Sequence, residues 1–176
     1  TAENERAFGR HTTQRGPSAF PQVQGVYLME VGTHGIVDAG FWPIHTGERV
    51  GALRMLRSVE AAMLLMWDRG FHSFEMAWKT RQRQAHFLAR VPDHVILKPT
   101  QHLPDGSYLA LLQPADSHRR QTGDNLRVRV IEYTISDPAL PGYGQRHRLM
   151  TSLLEADAYP AMELAQAYHQ RWEIEL

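Results

Sequence analysis

The chain has 176 residues, 43% hydrophobic and 22% charged, a globular composition with room for one sizeable core that excludes a disordered tail or a membrane span. It contains no cysteine, so disulfides, thiol nucleophiles and thiolate zinc sites are excluded. Nineteen Lys and Arg balance nineteen Asp and Glu, so the global basic excess that marks many nucleic-acid-binding proteins is missing.

The opening, TAENERAFGRHTTQRG, is polar and lacks the apolar core of a secretory signal. Up to about Gln22 it reads as an irregular segment. Gln24 to Val31 is β-branched and aromatic, and Gly32, Thr33 and His34 turn it back into Gly35 to Phe41, which predicts an antiparallel hairpin. Glu48 to Ser58 spaces Val50, Leu53, Met55 and Leu56 near a helical period. Met63 to Trp67 is an unbroken apolar run, as in a strand buried on both faces, and it ends in Asp68. After the Gly70 turn, Ser73 is predicted to cap a helix running to about Gln84, followed by a short strand at His86 to Arg90. This β–turn–α–β unit sets the class as α/β.

From Pro92 to about Arg146 no helical period is found. Strand-like runs at Val95 to Lys98, Tyr108 to Gln113 and Leu126 to Ile135 alternate with Pro, Gly and Asp turns. This stretch, about residues 92–146, reads as a β-rich insertion that leaves the core sheet before a strand at Leu149 to Leu153 returns to it. Pro160 opens a last helix running to the chain end, where its missing N–H costs nothing. The whole reads as a single domain.

On that last helix Tyr168, Arg171 and Glu175 fall on one face, at about 100° per residue. Met162, Ala165, Trp172 and Leu176 form the neighbouring stripe that would pack on the core. The bland reading is a surface helix with an Arg171–Glu175 pair; the other is a polar face serving a site. No histidine pair has metal-site spacing, and the glycines form neither a phosphate loop nor a dinucleotide fingerprint, so neither zinc nor a nucleotide cofactor is expected. Asp38 and Glu48 read as a turn acid and a helix-start acid rather than as metal ligands. The pairs Arg81/Arg83, Arg119/Arg120, Arg127/Arg129 and Arg146/Arg148 suit either DNA backbone contacts or solvated charge. Residues 69–148 hold twelve basic and seven acidic side chains, which makes the middle of the chain the likelier polyanion-facing part.

The run YHQRWEIEL resembles the Tyr-x2-Arg-x3-Glu signature of the insertion-sequence-4 family of DDE transposases, and WDRGF at Trp67 to Phe71 resembles that family's second-aspartate motif. AENERAFG near the start, GPSAFPQV at Gly16 to Val23 and the stretch from His147 to Leu176 look like the same family, so the resemblance spans nearly the whole chain. It implies an RNase H-like α/β fold, a mixed sheet flanked by helices with a β-rich insertion before the last helix. It implies that Asp68 and Glu175 are catalytic metal ligands, and that Tyr168 and Arg171 hold phosphates of the transposon end. It implies Mg²⁺, with Mn²⁺ as a substitute, for DNA strand cleavage and strand transfer, on DNA as partner, by a homodimer in the cytoplasm at the nucleoid. The family's first aspartate would precede Thr1 and a lysine would follow Leu176, so this chain alone is expected to be inactive. A truncated relic that at most binds DNA and a metal-dependent nuclease are the alternatives.

Overall fold

The computed structural model describes residues 1–14, 16–116, 119–120, 123–139 and 142–171. It divides into two compact units, Thr1–Ser58 and Val59–Leu176.

The smaller unit opens with a helix, α1 (Ala2–Phe8), where the sequence reading expected irregular chain. The Thr1 hydroxyl caps it by accepting from the Asn4 N–H at 3.3 Å, and Glu3 and Glu5 sit at its positive end. Seven residues that bury no side chain give no periodic signal, which is why pattern alone misses it. Gly9 ends the helix at φ 75°, and a Cβ there would stand 2.5 Å from Nε2 of His45, so both backbone and space require glycine. Two short strands, β1 (Thr12–Thr13) and β2 (Gly16–Pro17), pair before the predicted hairpin. The hairpin joins β3 (Val23–Met29) to β4 (Ile36–Pro43), with Val26 opposite Gly40. Helix α2 (Glu48–Met55) lies against it, so close at Gly51 that a Cβ would meet Val26 at 2.8 Å. Arg57, in the turn that follows, clamps Asp38 of β4 with two bonds of 2.8 and 2.7 Å, and the Ser58 hydroxyl adds a third at 2.7 Å. Arg57 first and Ser58 second hold the Asp38 carboxyl well below the usual range, so this acid is spent on closing the unit.

The larger unit is a mixed sheet of six strands with helices packed on it, the fold expected from the resemblance. Its elements are β5 (Leu64–Trp67), α3 (Phe74–Gln82), β6 (His86–Arg90), β7 (Pro99–His102), β8 (Tyr108–Leu112), β9 (Leu126–Thr134), β10 (Arg146–Thr151) and α4 (Ala161–Gln170). The spatial order is β5-β6-β10-β9-β8-β7, with β5 and β6 parallel and the other neighbours antiparallel. Ser73 caps α3 as predicted, its hydroxyl accepting from the Met76 N–H at 3.1 Å.

Four expectations are corrected. The strand-rich stretch does not leave the sheet: β8 and β9 extend it, and β10 lies between β9 and β6. Val95 to Lys98 form no strand, and β7 begins at Pro99. Strand β5 is an edge strand with Leu64 at 38% exposure, because an apolar run reports hydrophobicity and not position in a sheet. On α4 the buried stripe is Leu164, Ala165 and Tyr168, packed on Leu88, Ile131, Leu149 and Leu153, while Met162 faces outward. Among the described residues no helix is long and apolar enough to cross a membrane.

The larger unit buries one arginine completely. Arg129 of β9 has no exposed surface; its Nε donates to the Ser107 hydroxyl at 2.8 Å and one Nη to the Tyr159 carbonyl at 2.6 Å, while the other pairs with Asp105. The same Asp105 carboxylate accepts the Ala161 N–H at 3.0 Å, at the start of α4. Burial pushes the Asp105 carboxyl up, but Ser107, Arg129 and Ala161 together outweigh it and hold it below the usual value. Replacing Arg129 by Met strands that carboxylate, and replacing Asp105 by Asn strands the guanidinium. Each change is expected to cost about 3–5 kcal/mol in urea unfolding. A loss near zero for both would show that the pair is not a main support of this unit.

Candidate functional site

Parallel strands β5 and β6 end side by side, and open α/β sheets place their ligands beyond such carboxyl ends. Asp68 is the first residue past β5. Its Oδ1 accepts the Arg69 N–H at 2.7 Å and so starts the tight turn of Arg69–Phe71. Its Oδ2 has no hydrogen-bond partner among the described residues. Arg90 follows Ala89, the parallel partner of Trp67, and therefore stands beside Asp68 at the same end of the sheet. Trp67 itself is buried and its ring tilts against Phe87 at 5.3 Å.

Helix α4 brings the second part of the predicted site. Tyr168, only 1% exposed, lies in the core, and its hydroxyl reaches the Trp67 carbonyl at 3.3 Å and Asp68 Oδ1 at 3.5 Å. Burial first drives its pKa well above the phenol range; Arg171 opposes this and Asp68 adds to it. The phenol is therefore a fixed donor at every physiological pH. The Arg171 guanidinium lies over the Tyr168 ring, 5.2 Å from its centroid. The Tyr168 hydroxyl thus reaches Asp68 although a hundred residues separate the two, with Arg171 over its ring. Glu175 lies outside the described residues, as do Trp172 and Leu176 of the predicted packing stripe.

Asp68 is the right kind of ligand for Mg²⁺, a hard carboxylate oxygen at a strand end. Among the described residues no three His, Cys, Asp or Glu side chains gather around one metal position. Asp68 fits such an ion in kind, and completing the shell requires Glu175 or further oxygens.

Sequence reasoning passed over Arg90 and a ring cluster beside Tyr168. His169 Nε2 is 3.1 Å from the Tyr133 hydroxyl, and the Tyr133 ring stacks on His147 at 5.3 Å. The signal for Arg90 was available, since it ends the strand beside the one that ends in Asp68. The cluster had none, because its rings come from β9, β10 and α4. Most of the arginine pairs, by contrast, serve the fold. Arg119 covers the Phe74 ring at 5.1 Å and pairs with Asp124 at 2.9 Å, Arg146 pairs with Glu132, and Arg148 donates to the Pro92 carbonyl at 2.7 Å.

The family described as "Transposase DDE domain" matches residues 2–176. The transposase InsG for insertion sequence element IS4 of Escherichia coli (strain K12) is 26% identical over 181 residues, taking in 100% of this chain and 39% of that protein. The chain therefore spans about two fifths of the length of this curated relative. Among solved structures, the piggyBac transposase in its synaptic complex with hairpin DNA, seen by cryo-electron microscopy, has a TM-score of 0.55 at 13% identity. That likeness covers 94% of this chain and 35% of the other, and at such identity it speaks for the fold.

Removing only the Tyr168 hydroxyl, by Tyr168→Phe, is expected to cost about 1 kcal/mol, the worth of a buried hydrogen bond. Tyr168→Ala empties a core position and is expected to cost about 3–5 kcal/mol. Thermal unfolding of both variants checks this, and similar costs would mean that the hydroxyl, not the ring, carries the contribution.

Proposed function

The chain belongs to the transposase DDE domain family, of the insertion-sequence-4 kind, and we propose that it is a piece of an enzyme that cuts and joins DNA, binding the transposon end where Asp68, Tyr168 and Arg171 meet. The observation that carries this is the convergence at one sheet end of a carboxylate, a buried phenol and a guanidinium from distant parts of the sequence. One family description runs across both compact units, which supports reading them as one catalytic domain with its β-rich part between residues 92 and 146.

In this reading each group has a task. Arg171 contributes positive charge toward a DNA phosphate from its place over the Tyr168 ring. Tyr168, too deeply buried to reach far, positions Asp68 and Arg171 relative to each other. Asp68 and Glu175 would hold Mg²⁺, or Mn²⁺ in its place, and the ion would supply activation of the attacking oxygen and stabilisation of the leaving one. The partner is DNA, engaged by a homodimer at the nucleoid of the cytoplasm.

The chain by itself is proposed to bind DNA without cutting it. Fluorescence anisotropy with a short DNA duplex is the test. Affinity is expected to fall linearly with the logarithm of salt concentration, and Arg171→Ala is expected to weaken binding and to reduce the slope by about one. In Mg²⁺ or Mn²⁺ no nicked product is expected. Cleavage that Asp68→Asn abolishes would replace this reading with that of a catalyst, and binding that ignores both salt and Arg171→Ala would remove the DNA site.

A further inference from the structure

We propose that His169 is a positioning residue, a proton-sensitive latch that through Tyr133 holds the end of α4 so that Tyr168 and Arg171 face Asp68. The proposal rests on the DNA-binding reading for its consequence, but the latch itself stands on geometry.

His169 is the neighbour of Tyr168 on α4. Its Nε2 lies 3.1 Å from the hydroxyl of Tyr133 on β9, and its ring meets the Tyr133 ring edge-on at 5.7 Å. Tyr133 in turn stacks on His147 of β10, whose Nε2 is 3.4 Å from the Gly142 carbonyl. The His147 and His169 rings stand 6.4 Å apart. Three rings from β9, β10 and α4 therefore tie the last described turn of the helix to the sheet. Burial pushes the Tyr133 phenol up to about 12, so it keeps its proton and can donate to an unprotonated Nε2 of the neutral imidazole.

The charges facing His169 are Arg90 from β6, His147 from β10 and Arg171 from its own helix, with the phenols of Tyr133 and Tyr168 beside it. All three ionisable bases repel a proton. Protonation would make Nε2 a donor that can no longer accept from Tyr133 and set a further positive charge among them, in a half-buried place. Burial first, then His147, Arg90 and Arg171, accordingly lower the His169 pKa. A group whose folded value lies below its unfolded value, about 6.5 for histidine, contributes stability that is intact above that pH and is lost as pH falls through the folded value. His86 is shifted the same way, chiefly by burial and by Arg81, and contributes to the same acid limb.

The test uses the whole chain as wild type and as His169→Gln, which keeps a hydrogen-bonding end but does not titrate, Tyr133→Phe and His169→Ala. Ring-proton NMR is expected to show His169 titrating below about 6.5, with its midpoint rising in Tyr133→Phe. The melting temperature of the wild type is expected to drop between pH 8 and pH 5.5 by more than that of His169→Gln, whose remaining drop belongs to His86. At pH 8 the affinity for a short DNA duplex is expected to fall several-fold in His169→Ala and to recover in His169→Gln. A His169 midpoint at or above the free value, or one that Tyr133→Phe leaves in place, overturns the latch. Normal titration and stability results with DNA affinity unchanged in His169→Ala and in Arg171→Ala alike would instead overturn the binding site and leave the latch standing.

Discussion

A guanidinium with no exposed surface survives only where every donor is met and its charge is balanced. Around Arg129 that requirement falls on the β7–β8 turn through Asp105 and Ser107, and on the approach to α4 through the Tyr159 carbonyl. Because Asp105 also takes the Ala161 N–H, the acid that neutralises the arginine also sets where the last helix begins. The far end of the helix is fixed independently by the Tyr168 hydroxyl and by the rings of Tyr133, His147 and His169. The helix is thus held at both ends by polar contacts and between them by Leu164 and Ala165 on the core.

Several arginines of the larger unit are engaged within the chain itself. Arg119, Arg129, Arg146 and Arg148 are each engaged with a carboxylate, an aromatic ring or a carbonyl of this chain. With total charge balanced, the positive potential that a phosphate would meet has to be local. Arg90 ends the strand beside the one that stops at Asp68, and Arg171 lies over the Tyr168 ring.

Local chemistry was legible in the sequence, and placement was not. The Ser73 cap, the turn at Gly32 to His34 and the strand that stops at Asp68 are each set by residues within a few positions of one another, and each stands as read. The sheet order could not be read, because β10 pairs with β6 across more than fifty residues. In β9 the alternation Leu-Arg-Val-Arg-Val was readable as buried valines and outward arginines, and Val128 and Val130 are buried. Arg129 broke that inference because the opposite face of the sheet is covered as well. On α4 the helical face was read one step out of phase: Tyr168 carries a polar group, yet its ring is part of the core and only its hydroxyl belongs to the site. The resemblance pointed to Tyr168 and Arg171, and the structure places the Tyr168 ring in the core with its hydroxyl toward Asp68.

The distance in sequence between the groups that meet at this sheet end also orders events in time. The β5–α3–β6 segment closes on contacts about twenty residues apart, whereas Tyr168 must find Trp67 and Asp68 across a hundred. Loop closure over such a span is slow and is rewarded only after the sheet exists. Helix α4 also packs on Leu149 and Leu153, close to it in sequence, so short-range packing can seat the helix before its hydroxyl closes the long loop to Asp68.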